Sequence, residues 1–179
     1  MEQKQVSKTQ PIDWYLSLYE IFKNRLNGST RLPFHQLREQ AIRRFAEVGF
    51  PTTRNEEWKY TNIAPLLKHH FQLPEEVGAV SEGDLERHLW GEASRNRIVF
   101  LNGRFSGELS RWDFPEGILV CSLQEAFTRY PELVEKYLGR QVDFQNEPFA
   151  ALNTAFSGDG LFLHVRENVA VREPLHVLY

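Results

Sequence analysis

One cysteine and one methionine in 179 residues set the first limits on this chain. Cys121 alone excludes an internal disulfide framework, and a single thiol cannot supply a multi-thiolate metal site. No apolar run approaches the length that spans a bilayer, and the opening MEQKQVSKTQ lacks the apolar core of a secretory signal. Charge of one sign is also lacking. A formal net charge of −3 and a sequence pI near 6.1 give no overall attraction to phosphate backbones or anionic lipid. No membrane and no nucleic-acid partner is therefore expected, and the cytoplasm is the expected compartment. Glycine-rich nucleotide loops, zinc-ligand clusters and catalytic triad patterns are missing as well; Gly158-Asp159-Gly160 lacks the Lys-Ser/Thr of a phosphate loop and reads as a turn.

What is present suits a packed core. Hydrophobic residues make up 41% and aromatic residues 13%, so only the polar stretch Met1 to Gln10 reads as disordered. Pro11 opens a helix with Trp14, Leu18, Ile21, Phe22 and Leu26 at helical spacing, closed by Asn27-Gly28. A second helix starts near Pro33, carries Phe34, Leu37, Ala41, Phe45 and Val48 on one face with Arg38, Arg43 and Arg44 away from it, and stops at Gly49. These two are expected to form a helical hairpin. Further along come a polar stretch from Pro74 to Gly83, a short helix around Asp84 to Trp90, and a strand at Arg97 to Leu101. Asn102-Gly103 then predicts a tight hairpin turn into Arg104-Phe105. Ile118 to Cys121 reads as a strand, and Ser122-x-x-Glu125 as the cap of a helix running to Tyr130. Pro131 interrupts that helix and Gly139 ends its continuation, before Asn146 and Pro148 start another with Phe149, Leu152 and Phe156.

The last twenty residues predict three short strands, Leu161 to Val165, Val169 to Val171 and Leu175 to Tyr179, which is about one rung of a parallel β-helix. The fold class is thus α+β: an N-terminal helical hairpin and a mixed region over 1–159, then the first rung of a truncated β-helix over 160–179. One rung cannot bury its own faces, and the sequence stops inside a strand, so a fragment of a longer protein is expected. Its open strand edge is expected to promote self-association.

Gly49 to Leu66, GFPTTRNEEWKYTNIAPL, has neither helical nor strand period and must be placed by specific contacts. Trp58 and Tyr60 read as anchors, with Phe50, tying the helical hairpin to the rest. Glu56 and Glu57 could be acid/base carboxylates, but neighbours in an extended segment point apart. Together with His69 and His70 they define the rival reading, a small metal-binding protein or stand-alone enzyme, although adjacent histidines without a second ligand pair are a weak metal signal. His164 and His176, one rung apart, could stack on a solenoid face. Cys121, inside an apolar strand, reads as a buried inert thiol. A nucleic-acid adaptor reading on Arg38, Arg43, Arg44 and Lys59 is opposed by the two glutamates in the same segment.

Gly49-Phe50-Pro51 followed by Glu57-Trp58-Lys59-Tyr60-Thr61 resembles the N-terminal signature of the SufB/SufD family of the SUF iron-sulfur cluster assembly machine. Val99 to Phe105 and Ala151 to Phe156 with Gly158 to Gly160 fit the same family in order and spacing, closer to its SufD than to its SufB members. The resemblance implies a non-catalytic scaffold working with a SufB-like subunit and the SufC-type ABC ATPase, and a chain that continues into a long β-helix. It implies no catalytic, cofactor-binding or metal residue within these positions, because the family's assembly residues and SufC-binding helices lie further on. An iron-sulfur cluster, and a flavin if one takes part, would belong to the complete complex.

Overall fold

The computed structural model describes residues 11–26, 33–74, 80–91 and 95–179. The expected Asn27-Gly28 cap and most of the polar stretch after Pro74 lie outside them. The chain folds as two compact units: the first is Met1–Leu73 with Tyr137–Ser157, the second Pro74–Lys136 with Gly158–Tyr179.

The first unit holds α1 (Pro11–Arg25), α2 (Pro33–Val48) and α6 (Pro148–Ala155), with short 3-10 turns at Glu56–Trp58 and Leu66–Lys68. Its core gathers Tyr19, Ala41, Ile42, Phe45, Phe144, Ala151 and Ala155. The principal partner of α2 is α6, and α1 touches α2 less extensively. Small residues explain this preference, since Ala41, Ala151 and Ala155 are fully buried and let two helix backbones approach closely. α2 ends as expected: Gly49 takes φ +67 and its N–H returns to the Phe45 carbonyl at 2.8 Å, the left-handed cap that glycine accepts without strain.

The buried stripe of α1 is shifted only in part from the expected one: Leu18 and Leu26 are buried as expected. Ile12, Tyr15, Leu16, Tyr19 and Phe22 face the core, whereas Ile21 is 47% exposed. Aromatic rings account for the shift: Tyr15 meets Phe45 and Phe50, and Tyr19 and Phe22 meet Phe156, at centroid distances of 5.2 to 6.2 Å. Arg38 corrects the sequence reading more sharply. It points into the core rather than away, 1% exposed, with Nε donating to the Ser157 carbonyl at 2.7 Å and the guanidinium 4.8 Å above the Phe34 ring.

The second unit begins its regular structure with α3 (Glu82–Glu86), capped reciprocally by Ser81 and Asp84. β1 (Arg97–Leu101) turns through Asn102 and Gly103, at φ 50 and 78, into β2 (Arg104–Phe105), pairing Phe100 with Phe105. Two successive positive φ values are what a two-residue hairpin needs, and Asn-Gly supplies them. β3 (Ile118–Ser122) leads into α4 (Leu123–Arg129), whose first turn is capped by Ser122 Oγ accepting from Glu125 N–H. Tyr130 leaves helical geometry at φ −136 and ψ 48, and α5 (Pro131–Tyr137) follows.

The final twenty residues differ from a simple rung. β4 (Leu161–Val165) and β5 (His176–Leu178) form, but Val169 to Val171 adopts no strand. β4 runs antiparallel to β3, and β5 runs parallel to β1 in the order β2-β1-β5. The middle segment is diverted by a turn with Asn168 at φ 63, which lays Val169 against Gly117, where a Cβ would come within 2.8 Å of it.

Candidate functional site

The signature segment is an ordered turn held by aromatic contacts of Phe50 and Trp58. Asn55 Oδ1 accepts from the Thr52 N–H at 2.9 Å, and the Trp58, Lys59 and Thr61 amides donate in succession to the carbonyls of Asn55, Glu56 and Trp58. This closure by the Asn55 side chain fixes a polar stretch that has no apolar period of its own. Trp58, half-buried, lies 5.1 Å from Phe149, and Phe149 lies 5.8 Å from Phe50, so Trp58 and Phe50 are the anchors expected of them. Tyr60 is not. It is 92% exposed, with Lys59 Nζ 5.5 Å from its ring, because the 3-10 turn that drives Trp58 inward turns the residue two positions later to solvent.

Glu56 and Glu57 are exposed on the same turn. His70 stacks on the Trp14 indole at 4.6 Å, while Trp14 Nε1 donates to the Phe71 carbonyl at 2.9 Å and His69 faces Phe71. His70 and the Phe71 carbonyl therefore fasten residues 69–71 to α1. Among the described residues no group of three or more His, Cys, Asp or Glu side chains is placed to hold a metal ion. His164 and His176 do not stack: the first pairs with Leu119 in the β3–β4 ribbon, the second with Arg97 beside β1.

Cys121 is 4% exposed, and burial first, then Glu125, pushes its thiol up to about 11. The basic residues of the adaptor reading are held separately. Arg38 is buried, Arg43 Nε donates to the Glu39 carbonyl, and Arg44 is held by the Gln145 carbonyl and Glu47.

Several organising side chains escaped the sequence reading. Asp159, in the turn ahead of β4, accepts three backbone amides: Phe105 at 3.2 Å, Gln124 at 3.2 Å and Gly160 at 2.8 Å. One carboxylate thus joins the hairpin, the start of α4 and its own turn. Arg97, 4% exposed, donates to the Leu109 carbonyl and to Glu82, which also pairs with Arg111; the Arg111 hydrogen bond holds the Glu82 carboxyl below its ordinary value. Asn96 receives the Asp113 amide and donates to Glu173. Next to it lies an open hollow of about 600 Å³ lined by Asp113, Phe114, Asn168, Val169, Arg172 and Glu173, among others. Nothing in sequence marks these partners, because each contact except Asp159's bond to Gly160 joins positions 12 or more residues apart.

Among the described residues no helix is long and apolar enough to cross a membrane. The strands at the sheet edges are β2 and β5 in one sheet and β3 and β4 in the other.

The SufBD protein N-terminal region family model matches residues 9–177. An iron-sulfur cluster assembly SufBD family protein of Synechocystis sp. is 31% identical over 143 residues, covering 79% of this chain and 31% of that protein. A SufBD family protein of Arabidopsis thaliana, also named for iron-sulfur cluster assembly, is 44% identical over 59 residues, 33% of this chain and 13% of its own length. One of Guillardia theta is 47% identical over 71 residues, 40% and 14% respectively. The chain spans about a third or less of each of these relatives.

Proposed function

The chain belongs to the SufBD family through its N-terminal region, and from that membership we propose that it serves iron-sulfur cluster assembly as the N-terminal part of a SufD-like, non-catalytic scaffold. On this reading its partners are a SufB-like subunit and a SufC-type ABC ATPase, and the cluster is cargo of the complete assembly. The observation that carries the proposal is the family match across residues 9–177. Cys121 supports it: a lone thiol, buried and pushed up to about 11, is a poor cluster ligand.

The parallel ladder of β5 on β1, with Arg97 opposite His176 and Val99 opposite Leu178, supports the β-helix part of the reading. A parallel pair is the repeating step of such a solenoid, and the outer edge of β5 offers the next strand a place to add.

Mass spectrometry of material co-purified with the tagged protein from its own cells tests the partners. An ABC-type ATPase together with a SufB-like subunit is the expected recovery. Their joint absence from an otherwise intact preparation contradicts the scaffold reading.

A further inference from the structure

Glu39, on α2, gathers groups from α1. Its Oε1 lies 2.7 Å from Lys23 Nζ, accepts from the Tyr19 hydroxyl at 3.2 Å, and stands 3.4 Å from His35 Nε2 one turn earlier on α2. Tyr19 is 2% and His35 9% exposed, so the cluster sits at the edge of the core. The other ring nitrogen, His35 Nδ1, is buried with no hydrogen-bond partner among the described residues, and Arg38 Nη1 is in the same condition. A neutral imidazole tolerates that place. An imidazolium would add a second buried N–H and a charge there.

We propose that this cluster is an acid-released latch: protonation of His35, beside the cations of Arg38 and Lys23, adds charge where the Glu39 carboxylate is already shared, and frees α1 from α2. Burial holds the ring below the ordinary histidine value; Glu39 opposes that, while Arg38 and Lys23 act with it. Glu39 itself is held low, first by its hydrogen bond from Lys23, so it stays ionised while His35 titrates. Because the unfolded chain takes up this proton first, the contribution is fully present above the unfolded value of about 6.5. It is lost as pH falls through that value toward the lower folded one.

Urea unfolding of the whole 179-residue chain, followed by circular dichroism near pH 7.5 and near pH 5.5, brackets the unperturbed histidine value of about 6.5. The wild-type midpoint drops between the two conditions. His35→Gln keeps a donor for Glu39 but takes up no proton, and is expected to lose at least half of that drop. An undiminished drop in the variant overturns the latch and assigns the acid sensitivity to other histidines. Should the variant not fold, the His35 ring is titrated by NMR in the wild-type chain. A midpoint below about 6.5 with coincident shifts at Tyr19 upholds the latch, and one at or above it overturns it.

Discussion

Trp58 and Tyr60 stand on one turn with opposite environments, and their truncations separate anchoring from display. Trp58→Ala removes a half-buried indole from Phe149 and is expected to cost about 2 kcal/mol, part of the loss seen when a fully buried aromatic is deleted. Tyr60→Ala removes a ring that is 92% exposed and should stay within about 0.5 kcal/mol of the parent. Chemical denaturation of the two variants side by side measures both, and equal losses would contradict the anchor assignment. Cys121 gives a second residue-scale expectation. With its thiol buried and pushed up to about 11, the folded protein should leave a thiol reagent unreacted near pH 8, where an unperturbed cysteine is partly thiolate. The same reagent should label the urea-unfolded chain fully. Rapid labelling under native conditions would mean that β3 opens readily.

Asp159 shows what an element-level contact does that no local pattern reveals. Asp159→Ala leaves the Phe105 and Gln124 amides without their acceptor and is expected to cost about 3 kcal/mol. Asp159→Asn, which keeps one carbonyl oxygen, should cost less, and thermal unfolding of the pair checks the order. The hairpin at Asn102-Gly103 and the Ser122 cap were legible because their determinants lie within a few residues of one another. Arg38 was not legible. An arginine on an amphipathic helix defaults to solvent, and the carbonyl that draws it inward lies 119 positions downstream. The α1 stripe was read incompletely for a related reason: Leu18, Phe22 and Leu26 pack as read, but Tyr15 and Tyr19, polar at one end, were passed over although their rings fill the core. Val169 to Val171 has strand composition, yet the Asn168 turn and the seat beside Gly117 override it. The pairing of β5 with β1 rests on chain topology, which propensity does not encode. At the signature turn, sequence identified the segment, and two of the three anchors it named hold; it could not tell which aromatic would face outward.

At the scale of the molecule, family membership and geometry bear on different questions. Membership in the SufBD family connects the chain to iron-sulfur cluster assembly. The folded units add that its lone cysteine is shielded, that His69 and His70 are used in packing contacts while His164 and His176 lie in separate sheets, and that β5 presents an edge beside a parallel ladder. On the proposed reading, the protein affects cluster delivery without performing a turnover of its own. The most direct measurement is the activity of a cluster-dependent enzyme in cells depleted of this protein, set against the amount of that enzyme's polypeptide. The account predicts that activity falls while polypeptide is retained, and that iron and sulfide supplied to the extract restore it. Undiminished activity under full depletion, with no other SufBD protein present, would contradict a role in cluster assembly.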